Sequence, residues 1–348
     1  MEAARRPVLA LDIGGTKLAV AIVTPDGVSH GFAVEPTRRE EGPDAVIARL
    51  FRMGDEAIRA WSDGQDPLAG ASAVTAGERG GERSVAAVGI SCGGPLDARR
   101  GVLINPLHLP GWLDVPITEL AERRFGLPAV LENDATAAAL AEYRFGAGAG
   151  SSTLVYLTVS TGVGGGAVIN GRLHRGASSN GGEYGHIMVQ PGGRLCLCGR
   201  RGCLEAYASG TSIAERAREL LERSDRPSSL RDRAVVRAED VSAAADGGDE
   251  LAGEIWAETL ELLASAVTDL VNILEPDMVV LGGGVTRAGA SLIEPLRHAV
   301  LRDAMPPASA AVRVELAARG DEVGVIGAAA LAFDLLRNDS TNQEPARV

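Results

Sequence analysis

Three cysteines and a histidine crowd one glycine-rich stretch: His186, Cys196, Cys198 and Cys203. The cysteines fall within eight residues of one another, too tight for several independent disulfides. One His with three Cys is the donor set of a closed tetrahedral zinc site, structural because four protein ligands leave no open position. The alternative, a redox Cys-x-Cys pair, gives His186 and Cys203 no part. Cys92 stands apart and is expected to be a buried apolar residue.

A second candidate is a carboxylate. Leu131-Glu132-Asn133-Asp134 closes an apolar strand, and the helical run Ala135–Phe145 follows. An aspartate at or near a helix N-cap has two uses. It can cap the helix by accepting backbone N–H groups, or it can take a hydroxyl proton as general base in phosphoryl transfer. The helix N-terminus favours its charged form in both cases.

Three glycine turns complete the candidates. Asp12-Ile-Gly14-Gly15-Thr16-Lys17 joins two strand-like runs, and so does Thr158-Val-Ser-Thr161-Gly162-Val-Gly164-Gly-Gly166. Without a Cβ in the way, backbone N–H groups in such turns face an anion. Asp12, at a strand end, is placed to hold magnesium through water. Gly282-Gly283-Gly284 follows the apolar run Met278–Leu281 and leaves room for a flat nucleotide. The plainer alternative for each is a tight turn and nothing more.

Other chemistries are excluded. Lys17 is the only lysine among 34 basic residues, and Leu18 follows it, so there is no Walker A loop and no lysine-dependent protein-kinase signature. Gly146-Ala-Gly148-Ala-Gly150 follows a helix, the wrong order for a dinucleotide fingerprint. Gly89-Ile-Ser91-Cys-Gly93 matches a nucleophile elbow, but Gly94-Pro95 turns away where a helix must follow. The net charge of -12 argues against a nucleic-acid partner. No apolar run has the length of a membrane span, and the start does not read as a signal peptide. A cytoplasmic protein with reduced thiols is expected.

The elements that must position these residues alternate. Strands are expected at Val8–Ile13, Leu18–Val23, Val85–Ile90, Ala129–Leu131, Thr153–Val159, Gly166–Ile169, Met278–Leu281 and Val312–Leu316. Helices are expected at Asp44–Trp61, Thr118–Phe125, Ala135–Phe145, Thr211–Glu222, Glu250–Leu274, Ala290–Leu301 and Val323–Leu336. In the longest, Leu251, Ile255, Leu262, Val267, Leu270 and Leu274 recur at helical spacing, and Pro276 stops the run. The pattern is α/β. The first two strands are separated by a hairpin-length link and should be antiparallel, and Pro25-Asp26-Gly27 starts a second hairpin. An α/β domain that opens on a hairpin suits an actin-like ATP-binding fold better than a Rossmann unit. Gly64–Ser84 and Arg223–Asp240 read as solvated loops.

Several segments stand in a fixed order along nearly the whole chain. They are Asp12-Ile-Gly-Gly-Thr-Lys17, Leu109-Pro-Gly-Trp112, Glu132-Asn-Asp134, Thr161-Gly-Val-Gly-Gly, Glu183-Tyr-Gly-His186 and Cys196-Leu-Cys-Gly-Arg-Arg-Gly-Cys-Leu-Glu205, with Gly282–Gly284 and Gly324–Ala328. In these the chain resembles the ROK family of sugar kinases and repressors. The resemblance implies an actin-like (ribonuclease H-like) ATPase fold, two domains flanking a cleft that takes ATP and a sugar. The expected small domain is residues 1–131 with a C-terminal helix at about 323–337, the large one 132–322, and 338–348 a frayed tail.

By the same resemblance Asp134 is the catalytic base. Gly94, Asn133, Asp134, Glu183, His186 and Glu205 would contact the sugar, with one His186 nitrogen on zinc and the other toward the substrate. Asp12, Gly14, Gly15, Thr16, Lys17, Thr161, Gly162 and Gly164 would hold the ATP phosphates with Mg2+, and Gly282, Gly283 and Gly284 the adenosine. No winged helix precedes Asp12, which favours kinase over repressor, and a homodimer or homotetramer is expected. Many family members read Asn where this chain has His108, which leaves the sugar open. Glucose is the leading acceptor; N-acetylmannosamine, N-acetylglucosamine, fructose or a cyclitol are the others, and a sugar-sensing protein without turnover is the third reading.

Overall fold

The computed structural model describes residues 6–64 and 84–342. Its residues group into two compact units, one of Met1–Gly146, Arg175–Gly181 and Asp321–Val348, the other of Ala147–His174 and Gly182–Gly320. The expected loop Gly64–Ser84 lies almost wholly outside the described residues.

In the first unit the chain runs β1 (Val8–Ile13), β2 (Lys17–Val23), β3 (Ser29–Pro36), α1 (Pro43–Ser62), β4 (Val88–Cys92), the short pair β5 (Leu96–Asp97) and β6 (Val102–Leu103), α2 (Ile117–Phe125), β7 (Ala129–Asn133) and α3 (Asp134–Phe145). The main sheet has the order β3-β2-β1-β4-β7. Both expected hairpins form: β1 and β2 pair antiparallel, as do β2 and β3. Then β4 and β7 add in parallel to β1.

Strand alternation gives this sheet two unlike faces. Leu9, Leu11, Ile13, Leu18, Val20, Ile22, Val88 and Ile90 pack with α1 and α2 residues such as Leu50, Phe51 and Ile117. Val8, Ala10, Ala19 and Ala21 pack with Ala328, Ala329 and Phe333 of the C-terminal helix Val323–Asn342. The second face is built of small residues because helices approach it closely. A Cβ on Gly89 would lie 1.8 Å from the Ala328 carbonyl oxygen. Scarce aromatics and abundant alanine are thus the composition of a closely layered core.

The α3 helix belongs to this unit, so the division falls after Gly146 and not at the expected 131/132. The reason is its alanine face and Arg144, which donates to the Ala330 carbonyl at 2.7 Å and pairs with Asp334 on the C-terminal helix. That helix runs to Asn342, beyond the expected end at Leu336 and into the segment expected to fray.

The second unit repeats the plan. Its strands are β8 (Leu154–Val159), β9 (Val163–Ile169), β10 (Arg172–His174), β11 (Met278–Gly282) and β12 (Arg313–Leu316), and its helices α4 (Glu205–Ala208), α5 (Gly210–Arg223), α6 (Ala238–Asp246), α7 (Glu250–Leu274), α8 (Ala290–Asp303) and α9 (Pro306–Ala311). The order β10-β9-β8-β11-β12 again joins antiparallel hairpins to parallel strands. In α7 the buried stripe includes Leu251, Ile255, Leu263, Val267 and Leu270, while Leu262 packs against the cysteine cluster. The expected solvated loop at Arg223–Asp240 is anchored, because Leu230 and Val236 are buried in the unit's core.

Two strand shifts matter for chemistry. The fourth strand covers Val88–Cys92 in place of Val85–Ile90, which brings Ser91 and Cys92 into the ladder. The second strand of the other hairpin starts at Val163, so Gly164 is a strand residue. No helix among the described residues is long and apolar enough to cross a membrane.

The Gly89 contact gives a direct test of this layering. Gly89→Ala should lower stability by about 1–3 kcal/mol through overpacking, read from urea unfolding. An unchanged midpoint would contradict the close approach of strand and helix.

Candidate functional site

The parallel strands of the first unit end on polar residues, where ligand sites form in α/β sheets. In register across β1, β4 and β7 stand Asp12, Ser91 and Glu132, and one step on Ile13, Cys92 and Asn133. Asp12 is largely but not fully buried, and burial pushes its pKa from the ordinary 3.8 up to about 6, against the hydrogen bond from Ser91; the nearby charge of Asp134 raises it further. Glu132 is buried too, and burial raises it despite the Arg175 guanidinium, whose Nε donates to Glu132 Oε2 at 2.5 Å.

Asn133, not Asp134, caps α3. Its Oδ1 accepts the N–H groups of Ala135 at 3.0 Å and Thr136 at 3.2 Å. Asp134 is the first helical residue, and among the described residues its Oδ1 accepts the adjacent Ala135 N–H at 2.8 Å. Its carboxylate is therefore not needed to end the helix, which removes the capping account of this residue. Asn133 keeps its Nδ2, which lies 3.7 Å from where a Cβ on Gly94 would stand; Asn180 Oδ1 lies 3.9 Å from the same point. Gly94, Asn133 and Asn180 thus border one small opening. No sequence motif singles out Asn180; the segment carrying it joins this unit through Arg175 and Glu132.

The turn Gly14–Thr16 is closed by the Gly14 N–H on the Lys17 carbonyl at 3.0 Å, and the Thr37 hydroxyl donates to the Gly14 carbonyl at 2.6 Å. Lys17 opens β2. His108 is wedged against this turn. A Cβ on Gly15 would lie 2.9 Å from His108 Cβ, and one on Gly93 would lie 2.3 Å from its Cε1. Burial lowers the His108 pKa, opposed by the charge of Asp134 and a backbone hydrogen bond with Ile13. His108 thus stands beside the first glycine turn and within electrostatic reach of Asp134.

In the second unit, the ligand atoms of His186, Cys196, Cys198 and Cys203 all lie within 4.8 Å of one another. Cys198 and Cys203 sulfurs are 3.7 Å apart, and Cys196 Sγ is 3.7 Å from His186 Nδ1. Tetrahedral zinc with bonds of about 2.3 Å to sulfur sets such edges near 3.8 Å, so the donor set and its spacing fit the metal. Nδ1 faces the cluster, and Nε2 faces Glu183 Oε2 at 3.8 Å. Burial raises the Cys196 and Cys203 thiols, while the Arg200 backbone N–H lowers Cys198. Metal loading must therefore release protons.

Glu205 ties this loop to the second glycine turn. Its Oε2 accepts the Val163 N–H at 2.9 Å, and its Oε1 lies 3.8 Å from Cys196 Sγ. Thr161 and Gly162 form the turn, closed by the Ser160 N–H on the Gly162 carbonyl at 2.8 Å. Gly164 stands in β9 opposite Thr158, outside the turn in which it was expected. Gly165 beside it makes room for the Tyr184 ring, whose Cδ2 would be 2.2 Å from a Cβ there. That places Glu183 and His186 against the strand. Gly282 ends β11, and Gly283 turns the chain at φ +91°, a conformation open to glycine. A Cβ on Gly284 meets only the Arg287 guanidinium at 3.3 Å and the Ser160 hydroxyl at 3.9 Å, the least crowded of the three.

Comparison with known proteins agrees with this arrangement. The model of the ROK family matches residues 71–334. The chain is 35% identical over 328 residues to the glucokinase of Thermotoga maritima, covering 93% of this chain and 96% of that protein. It is 36% identical over 324 residues to the N-acetylmannosamine kinase of Citrobacter koseri, covering 93% and 98%. The fold matches a ROK family glucokinase from Streptomyces griseus, solved in complex with glucose and AMPPNP, with a TM-score of 0.73 and 30% identity over 94% of this chain and 99% of that one.

The buried charge of Asp12 makes a prediction. With its folded pKa raised, the native protein holds a proton between 3.8 and about 6 that the unfolded chain releases. Stability from this group therefore falls as pH rises through that window, and the cost is complete above about 6. Without nucleotide or divalent cation, Asp12→Asn should gain up to about 3 kcal/mol at pH 7.5, shrinking to nothing near pH 4. Denaturant titration at both pH values reads it, and a variant no more stable than the parent at pH 7.5 would refute the buried charge.

Proposed function

We propose that this chain, which belongs to the ROK family and is an ATP-dependent sugar kinase of it, transfers the γ-phosphoryl group of ATP to the 6-hydroxyl of glucose. The observation that carries the mechanism is the carboxylate of Asp134, bonded through Oδ1 to the adjacent Ala135 N–H, beside a helix cap supplied by its neighbour. In this reading Asp134 orients the sugar hydroxyl and accepts its proton as the oxygen attacks phosphorus. Gly94, Asn133, Glu183, His186 and Glu205 hold the sugar hydroxyls. The backbone N–H groups of the turns at Gly14–Lys17 and Thr161–Gly162 face the phosphates, and Gly282–Gly284 the adenosine. Magnesium, when bound, neutralises charge on the phosphates; Asp12 is the carboxylate that would hold it through water.

Glucose is favoured by the glucokinase relatives, one of them solved with glucose bound. N-acetylmannosamine is the second reading, because a kinase for that sugar has nearly the same identity to this chain. In the same reading His186 and the three cysteines hold a structural zinc. That metal would fix the His186 ring through Nδ1 and leave Nε2 toward the substrate. The enzyme works in the cytoplasm, as a homodimer or homotetramer by family resemblance.

An ATP-consumption assay over glucose, N-acetylmannosamine, N-acetylglucosamine, fructose and cyclitols tests the acceptor. Glucose should give the highest kcat/KM, and a clear preference for another acceptor overturns that choice. Asp134→Asn should lower turnover roughly 10²–10⁴-fold with folding intact; near-normal turnover would sink the base assignment. Metal analysis should find one zinc per chain in the parent protein and far less in Cys203→Ser, whereas zinc-free parent protein that is fully active would refute the zinc.

A further inference from the structure

Ser91 sits in what looks like a nucleophile elbow, yet it is fully buried and β5 follows it where a helix would be needed. Its hydroxyl has another occupation. Ser91 Oγ lies 2.6 Å from Asp12 Oδ1 and 3.3 Å from the Gly324 carbonyl. A hydroxyl has one proton to give, and the shorter bond to the charged acceptor is the stronger. The ladder leaves no substitute. Asp12 is flanked in register by Ser91 on β4 and by Ala19 on β2, so of its two ladder partners Ser91 is the polar one.

The Asp12 carboxylate also meets the backbone of the C-terminal helix. Gly324, in the first turn of the C-terminal helix, comes so close that a Cβ there would lie 2.5 Å from Oδ2. The carboxylate is thus packed as a whole over the bare Cα of Gly324, the same Cβ lying 2.6 Å from Cγ and 2.9 Å from Oδ1, and Oδ1 also takes the bond from Ser91. The serine bond opposes rotation of the carboxylate away from this position.

We propose that Ser91 is a positioning residue: it fixes the Asp12 carboxylate through Oδ1, so that Oδ2 is held toward the magnesium ion that accompanies ATP. This rests on the reading of Asp12 as the magnesium-facing carboxylate. Removing the hydroxyl leaves a buried carboxylate oxygen without its donor and free to turn. Loss of an outer partner of a metal-facing carboxylate weakens metal affinity, by roughly 10–100-fold in typical sites, and the lower end is expected where the carboxylate acts through water.

The test is a titration of free Mn2+ by electron paramagnetic resonance, with full-length protein and AMPPNP and no sugar. Four proteins are compared: parent, Asp12→Asn, Ser91→Ala and Ser91→Thr. The expected result is weaker Mn2+ binding in Asp12→Asn, about tenfold weaker binding in Ser91→Ala, and recovery in Ser91→Thr, which restores the hydroxyl. In turnover assays Ser91→Ala should raise the half-saturating Mg2+ concentration while the sugar KM stays at the parent value. A serine needed only for packing would change the sugar KM and thermal midpoint together and leave the Mn2+ titration alone. Parent-like Mn2+ binding in Ser91→Ala, with Asp12→Asn impaired, overturns the proposal. Parent-like binding in Asp12→Asn overturns the magnesium reading beneath it.

Discussion

The register of β1, β4 and β7 is the constraint on which the first unit's chemistry depends. Strand side chains alternate, so a slip of one residue would bring Ile90 or Cys92 beside Asp12 and turn its carboxylate's neighbour apolar. The observed register aligns three polar residues, Asp12, Ser91 and Glu132, on the face covered by the C-terminal helix. A buried row of this kind is costly unless each charge has a partner. Ser91 serves Asp12 and Arg175 serves Glu132. The apolar remainder of the sheet, wrapped by α1 and α2 on one side and by alanine-rich helices on the other, is what holds that register.

The second unit solves a similar problem with different means. Its glycine turn is not braced by a buried carboxylate row but by Glu205, which reaches from the start of α4 to the Val163 N–H. The same residue lies next to Cys196, so the cysteine loop, the turn and the first residue of α4 are connected through one side chain. The loop has little apolar cover beyond Tyr207, Ala206, Val189 and Leu262, and Leu197 at its tip is almost wholly exposed. A segment with so small a core requires another cross-link, and a His/Cys cluster whose spacing suits a tetrahedral metal supplies the geometry for it.

Much of this was legible in the sequence, because the signals were local. The hairpin at Gly14–Lys17, the second one at Pro25–Gly27, the His/Cys cluster and the helix after Asp134 are each set by neighbouring residues. What was not legible depends on pairing between distant segments. The duplicated strand order of the two units leaves no periodic trace, since each side chain is fitted to its own neighbours. The elbow pattern around Ser91 could be set aside in the sequence because no helix follows, but only the ladder shows the serine between Asp12 and Glu132. Asn180 and His108 reach their places through segments folded back onto the sheet, which spacing cannot reveal. Gly164 and Gly165 looked like part of a phosphate turn, whereas they lie in a strand and Gly165 makes room for a tyrosine ring.

The end of β7 shows how structure and chemistry divide the work. Asn133 spends Oδ1 on the second and third N–H groups of α3, and Asp134 is thereby released from capping. The account holds that Asn133 is needed for the helix and the sugar, and Asp134 for the proton. The most direct measurement is kcat at saturating sugar for Asn133→Ser, which retains a capping oxygen but loses the amide. The account predicts a higher sugar KM with kcat within about tenfold of the parent, since a serine caps nearly as well as an asparagine. A kcat as low as that of a protein without its general base, roughly 10²-fold down or more, would contradict it.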